Sequence, residues 1–332
     1  PTASADASPQ AMPAATTSGC RSRDEAQERM RWTTSGYRLR RATLGPRCVN
    51  KAAQAGVTES VPPPPPAAAM PAALNTSRQG ATLVLTLSDP ATRNALSPQA
   101  YAAGIEALET AETSDDIRCV VLRGEGAHFC AGGDLNRLRT TRLRDDGGGP
   151  AAQRASIDQF HAFVEAIRAC PKPVVAAVEG FAAGGGFSLV LACDLVVAAD
   201  DARFVMSYGR VGLTPDGGGS WQLAQRLPRA LALQLIWLAE PAGAAQLQQW
   251  GLVNQVVPAG QALAEALRLT ERLARMAPNA LAGAKELVDA APTHALRAHL
   301  DDERERFVAN LFHRNGLEGL GAFLEKRTPD FR

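Results

Sequence analysis

The sequence of 332 residues predicts an α/β fold whose C-terminal third is helical, on three observations. From Ala81 onward, short β-branched apolar runs alternate with stretches of helical periodicity. Two of those runs lead directly into glycine-rich segments, His128-Phe129-Cys130-Ala131-Gly132-Gly133-Asp134-Leu135 and Val178-Glu179-Gly180-Phe181-Ala182-Ala183-Gly184-Gly185-Gly186-Phe187. Beyond Trp221 the pattern is mostly helical.

Taken in order, Ala81 to Leu87 alternates as a strand does, and Ser97 to Thr113 reads as an amphipathic helix with Ser97 at its N-cap and Pro98 in its first turn. Cys119 to Leu122 is a buried strand, which completes a βαβ order. A polar loop is expected over Arg139 to Pro150, then a helix from about Ala151 to Ala169 and the strand Val174 to Val178. A helix opens at the second glycine segment, and Leu195 to Ala198 is a further short strand. The C-terminal helices are Gly260 to Ala277, Asn279 to Ala290 and a last one around Leu317 to Arg327.

Residues 1–69 differ from the rest, being rich in Ala, Pro, Ser, Thr and Arg and ending in Pro62 to Pro66 and Ala67-Ala68-Ala69. Such a stretch cannot bury enough apolar surface to offset its ordering entropy, so a disordered extension is expected there. The reading is of an upstream extension ahead of Met70. The rival is an organelle-targeting peptide, given Arg21, Arg23, Arg29, Arg31, Arg38, Arg40 and Arg41, against which stand Asp6, Asp24, Glu25 and Glu28. Residues 70–265 are then the α/β core and 266–332 the helical region.

With 45% hydrophobic residues the chain can bury one sizeable core or two modest ones, and a net charge of +1 gives no argument for a nucleic-acid or membrane partner. Cys20, Cys48, Cys119, Cys130, Cys170 and Cys193 lack metal-type spacing and read as small hydrophobes in a reducing, cytoplasmic compartment. His128, His294, His299 and His313 likewise lack mutual spacing for a metal site.

A strand that ends in glycines leaves bare backbone N–H groups facing a cleft, and two that converge on one point form an oxyanion hole. Together with Asp89-Pro90 through Arg93-Asn94-Ala95-Leu96 before them and Ala192-Cys193-Asp194-Leu195 after, the two segments resemble the enoyl-CoA hydratase/isomerase (crotonase) superfamily from about Leu74 to Arg332. The resemblance implies a crotonase (ClpP-like) fold of repeated ββα units, C-terminal helices that form a homotrimer or a dimer of trimers, and a CoA thioester substrate with no permanently bound cofactor. It implies that Gly133 and Gly185 each supply an N–H to the thioester oxygen. Gly185 also opens a helix, whose macrodipole favours an oxyanion.

Hydratases of this family use two glutamates, and at those positions this chain carries Ser188 and Tyr208. A carboxylate follows in Gly212-Leu213-Thr214-Pro215-Asp216-Gly217-Gly218-Gly219-Ser220-Trp221, a segment that resembles the loop of the phenylacetate-pathway epoxyphenylacetyl-CoA isomerase and of oxepin-CoA-processing crotonases. Asp216 aligns with the catalytic aspartate there. A carboxylate beside an enolate-forming thioester can carry a proton between carbons. Pro-Asp-Gly is also a turn signal, so Asp216 as a turn or cap residue stands beside the catalytic reading. His161 matches a histidine of the related aryl-CoA dehalogenases, which carry tryptophan where this chain has Tyr208.

By the same resemblance, Arg93, Ala95, Ala131, Asp134, Leu135 and Lys326 form the CoA-binding set: Arg93 and Lys326 at phosphates and adenine, Ala131 through its backbone, and Asp134 fixing the loop. Lys326 can serve a neighbouring subunit's site. The resulting expectation is an acyl-CoA enzyme that moves a proton with Asp216 and isomerises or opens a ring-derived thioester. A conventional enoyl-CoA hydratase is the alternative, followed by an aryl-CoA dehalogenase or a silent acyl-CoA-binding subunit.

Overall fold

The structure is a computed structural model, and it describes residues 73–144 and 146–332. The expected extension over 1–69 lies outside the described residues. Among the described residues nine strands, β1 (Ala73–Gln79), β2 (Thr82–Ser88), β3 (Cys119–Gly124), β4 (Val174–Val178), β5 (Phe181–Ala183), β6 (Leu195–Ala199), β7 (Arg203–Val205), β8 (Ala242–Gly243) and β9 (Gln255–Val257), form two sheets. The larger has the order β1-β2-β3-β4-β6-β9, antiparallel only at β1–β2. The smaller has the order β5-β7-β8.

The period of two along the parallel strands divides their side chains between two cores. Leu83, Leu85, Val120, Leu122, Val174, Ala176, Val196 and Ala198 face the larger core. It also contains residues of α1 (Pro98–Thr113), α3 (Gly149–Ala169) and α4 (Gly185–Ala192). Val84, Val121, Val175, Ala177 and Val197 face the other side, where Ala262 and Ala266 of α8 (Ala262–Ala274) close over them. The boundary at 265/266 thus falls inside a helix that packs on the sheet.

Ser97 accepts a hydrogen bond from the Ala100 N–H at 3.2 Å and caps α1 as the sequence predicts. The expected loop over Arg139 to Pro150 is shorter than predicted. Asp134 accepts from the N–H groups of Asn136 and Arg137, and this cap starts α2 (Leu135–Arg142), which runs into that stretch. The remaining helices are α5 (Gly219–Arg226), α6 (Arg229–Leu238), α7 (Ala244–Gln249), α9 (Pro278–Ala290), α10 (Leu296–Leu311) and α11 (Arg314–Glu325). Among the described residues no helix is long and apolar enough to cross a membrane.

Candidate active site

β3 and β4 are parallel neighbours, with Val120 opposite Val174 and Arg123 opposite Ala177, so the segments that follow them leave the same edge of the sheet. That edge, at the carboxyl ends of parallel strands, is where open α/β sheets place their ligands. The two glycine segments are then tied directly together. The Cys130 N–H donates to Phe181 C=O at 3.0 Å, and the Ala183 N–H donates to Cys130 C=O at 2.8 Å. Contact is close enough that a Cβ on Gly132, whose φ is +88°, would lie 2.6 Å from Ala183 C=O and 3.1 Å from the Gly185 nitrogen.

The Leu96 N–H donates to Gly132 C=O at 2.8 Å, and Leu96 and Gly133 form a parallel bridge. In that pattern the bonds run to the neighbours of Gly133, so its own N–H is turned away from Leu96. Gly185 is the first residue of α4, where an N–H has no intrahelical acceptor. Neither N–H has an acceptor among the described residues.

Asp216 lies in a turn closed by its own backbone, the Gly219 N–H donating to Asp216 C=O at 3.2 Å. Gly217 and Gly218 hold φ of +59° and +73°, which glycine adopts without strain. The helix that follows, α5, has no side-chain cap. The turn therefore engages the Asp216 main chain and leaves its carboxylate for another partner. That partner is Tyr208, whose hydroxyl donates to Asp216 Oδ1 at 2.6 Å. Ser188, fully buried on α4, donates to Asp216 C=O at 2.9 Å, with its Oγ 3.4 Å from the Tyr208 hydroxyl. Burial, reinforced by the charge of Asp216, pushes the Tyr208 phenol above its ordinary pKa and keeps it a donor.

Phe160 of α3 joins this group to the glycines. A Cβ on Gly185 would come within 3.3 Å of its ring, and one on Gly217 within 2.3 Å. Tyr101 of α1 packs on the same ring, with centroids 5.2 Å apart. The structure thus gathers the segments of Gly133 and Gly185 with Ser188, Tyr208 and Asp216 beside an aromatic wall. Sequence reasoning missed Tyr101, Phe160 and the nearby Arg137, because an aromatic or cation on a helix carries no catalytic spacing.

The other predicted residues, the CoA-binding set and His161, lie as follows. The exposed Arg93 accepts the Ala131 N–H through its backbone at 2.9 Å, and its φ of +58° turns the chain. Ala95 is buried, and Leu135 is exposed. His161 is half-buried, its ring 6.4 Å from that of Phe160, with no hydrogen bond to Asp216. Lys326 ends α11 as an exposed left-handed C-cap, with no ion pair among the described residues. Contrary to the sequence spacing, His294, His299 and Asp302 do approach, their ligand atoms within 4.8 Å of one another. Within that group His294 Nδ1 already lies 2.9 Å from Asp302 Oδ2.

A family model described as enoyl-CoA hydratase/isomerase matches residues 77–332. The chain belongs to the enoyl-CoA hydratase/isomerase family. It is 38% identical over 256 residues to the 2,3-dehydroadipyl-CoA hydratase of Escherichia coli K12, covering 77% of this chain and 97% of that protein. To the 1,2-epoxyphenylacetyl-CoA isomerase of the same strain it is 38% identical over 253 residues, covering 75% and 94%. A solved enoyl-CoA hydratase from Polaromonas sp. JS666 superposes with a TM-score of 0.76 at 56% identity, over 78% of this chain and all of that one. The fold is that of enoyl-CoA hydratase/isomerase enzymes, and the protein is an acyl-CoA enzyme of this family.

Proposed function

We propose that the protein binds a CoA thioester with its carbonyl oxygen on the Gly133 and Gly185 N–H groups and moves a proton on the acyl group with Asp216. The single observation that carries this reading is the 2.6 Å hydrogen bond from the Tyr208 hydroxyl to Asp216 Oδ1. It orients one carboxylate oxygen and leaves Oδ2 as the atom that takes a proton. Removing a proton next to the thioester places negative charge on the carbonyl oxygen, where two fixed N–H dipoles stabilise it best. Returning that proton to another carbon isomerises the acyl group, and one carboxylate suffices for both transfers.

The acyl group is ring-derived in this reading. The Pro-Asp-Gly loop, the Tyr101 and Phe160 wall and the likeness to a 1,2-epoxyphenylacetyl-CoA isomerase support it. A conventional hydratase is the second reading, favoured by the equal likeness to a 2,3-dehydroadipyl-CoA hydratase and opposed by Ser188 and Tyr208 at the two glutamate positions. CoA enters as part of the substrate, with no permanent cofactor. The free, buried Cys119, Cys130, Cys170 and Cys193 favour a reducing, cytoplasmic setting. Exposed Phe307, Phe312, Phe323 and Leu324 on and between the last two helices favour a trimer or a dimer of trimers.

The test is incubation in D2O with a panel of enoyl, aryl and ring-oxygen CoA thioesters, followed by mass analysis. Deuterium uptake and an isomeric or ring-opened product from a ring-derived thioester support the reading. Hydration of straight-chain enoyl thioesters alone would support the second.

A further inference from the structure

Arg137 lies in the first turn of α2, three residues past Asp134. Its Nη1 donates to Ser156 Oγ at 2.7 Å. Ser156 stands one helical turn before Phe160 on α3, the residue whose ring reaches both Gly185 and Gly217. Tyr101, its ring tilted against that of Phe160, has a phenol that feels both Arg137 and Asp216, and burial pushes its pKa upward. These contacts place the guanidinium along the wall of the acyl site.

Two observations show that it is incompletely paired. Arg137 Nε is buried with no hydrogen-bond partner, and no ion pair among the described residues includes Arg137. The nearest acid in sequence, Asp134, is committed to capping the helix from which Arg137 projects. A half-buried guanidinium that meets only the neutral hydroxyls of Ser156 and Tyr101, with its Nε unmatched, still lacks an anion and has donors left for one, the chemistry that receives a carboxylate. Leaving such a cation unpaired is costly, which favours an anionic occupant over an apolar one.

We propose that Arg137 is a specificity-determining residue that pairs with a carboxylate carried by the acyl group at a distance from its thioester. Ser156 positions the guanidinium from one side and Tyr101 from the other. The inference rests on the reading of this pocket as the acyl site, and adds that the acyl group is the monothioester of a dicarboxylic acid, on an open chain or on a ring.

Calorimetric titration of the full chain with four non-reacting thioesters tests this: adipyl-CoA against hexanoyl-CoA, and 4-carboxyphenylacetyl-CoA against phenylacetyl-CoA. The expected result is that the carboxylated member of at least one pair binds tenfold or more tightly, with the favoured pair telling a chain from a ring. Arg137→Gln should erase that preference while still binding the uncarboxylated member, which also reports that the variant is folded. Arg137→Lys should keep part of it. Equal or weaker binding of both carboxylated thioesters by the unaltered protein would overturn the proposal, as would an Arg137→Gln variant that retains the preference. If all four bind no better than CoA itself, the acyl-site reading fails with it. Because the readout is binding, loss of the Asp216 role alone leaves the expected preference intact.

Discussion

The Tyr208 hydroxyl donates to Asp216 Oδ1 at 2.6 Å, joining a 3₁₀ turn to the glycine-rich loop that follows it. Removing that donor leaves the carboxylate in place but less firmly oriented. Tyr208→Phe should lower kcat by about tenfold with KM little changed, in keeping with a hydrogen bond to a charged group. Steady-state kinetics on the true substrate check this, and an unchanged kcat would show that the bond has no part in turnover.

The two adjacent glycines of the first segment should respond very differently to alanine. At Gly132 a Cβ would meet the Ala183 carbonyl at 2.6 Å from a φ of +88°, and neither backbone can yield without separating the two segments. At Gly133 the nearest atom is a leucine methyl, Leu138 Cδ1, at 3.8 Å. Gly132→Ala should cost about 3 kcal/mol or more and Gly133→Ala less than about 1 kcal/mol. Urea denaturation of both variants measures the difference, and equal costs would contradict the close approach.

Raising the pH should destabilise the protein. Burial lifts the Cys119 and Cys130 thiols to about 12 and pushes Cys170, Cys193, Tyr101 and Tyr208 upward as well. The unfolded chain releases these protons from about pH 8.5 for thiols and about pH 10 for phenols, while the folded chain still holds them. The native state then binds more protons, so stability falls as pH rises, by up to about 1.4 kcal/mol per unit for each thiol above about pH 8.5, with the phenols adding only above about pH 10. Urea midpoints at pH 8 and pH 10 should drop accordingly, and a constant midpoint would count against the burial of these groups.

Much of the scaffold was legible because its signals are local. Val174–Val178 is a strand at the predicted bounds, being an unbroken apolar run before two buried layers, and Ser97 and Pro98 start their helix as capping chemistry requires. β1 escaped because Ala-Leu-Asn-Thr-Ser-Arg-Gln is an exposed edge strand with only Leu74 buried among its described side chains. β5 and β7, three residues each, are too short to show a period, although β5 is what holds the two glycine segments together. Within the site, Asp216 was visible from its motif, but its bond to Tyr208 depends on how two loops fold back on each other. Arg137 was hidden for another reason: a cation in a first helical turn reads as solvated until its Nε is seen buried.

Assembly should follow from the C-terminal helices. Leu296, Phe307, Phe312, Leu317, Phe323 and Leu324 are each at least 69% exposed, far more apolar surface than a lone subunit ordinarily shows. Sedimentation at micromolar protein should give a trimer or a hexamer. A monomer would mean that these helices serve another partner and that Lys326 can act only on its own subunit.

The most direct measurement is the turnover of Asp216→Asn beside its affinity for a substrate thioester. The amide keeps the size of the carboxylate and can still accept the Tyr208 hydrogen bond, but it cannot take a proton. The expected result is a kcat lower by about a hundred- to ten-thousandfold with Kd nearly unchanged, the signature of a lost general acid–base. An Asn variant with nearly full kcat would contradict it and return Asp216 to the role of a turn residue.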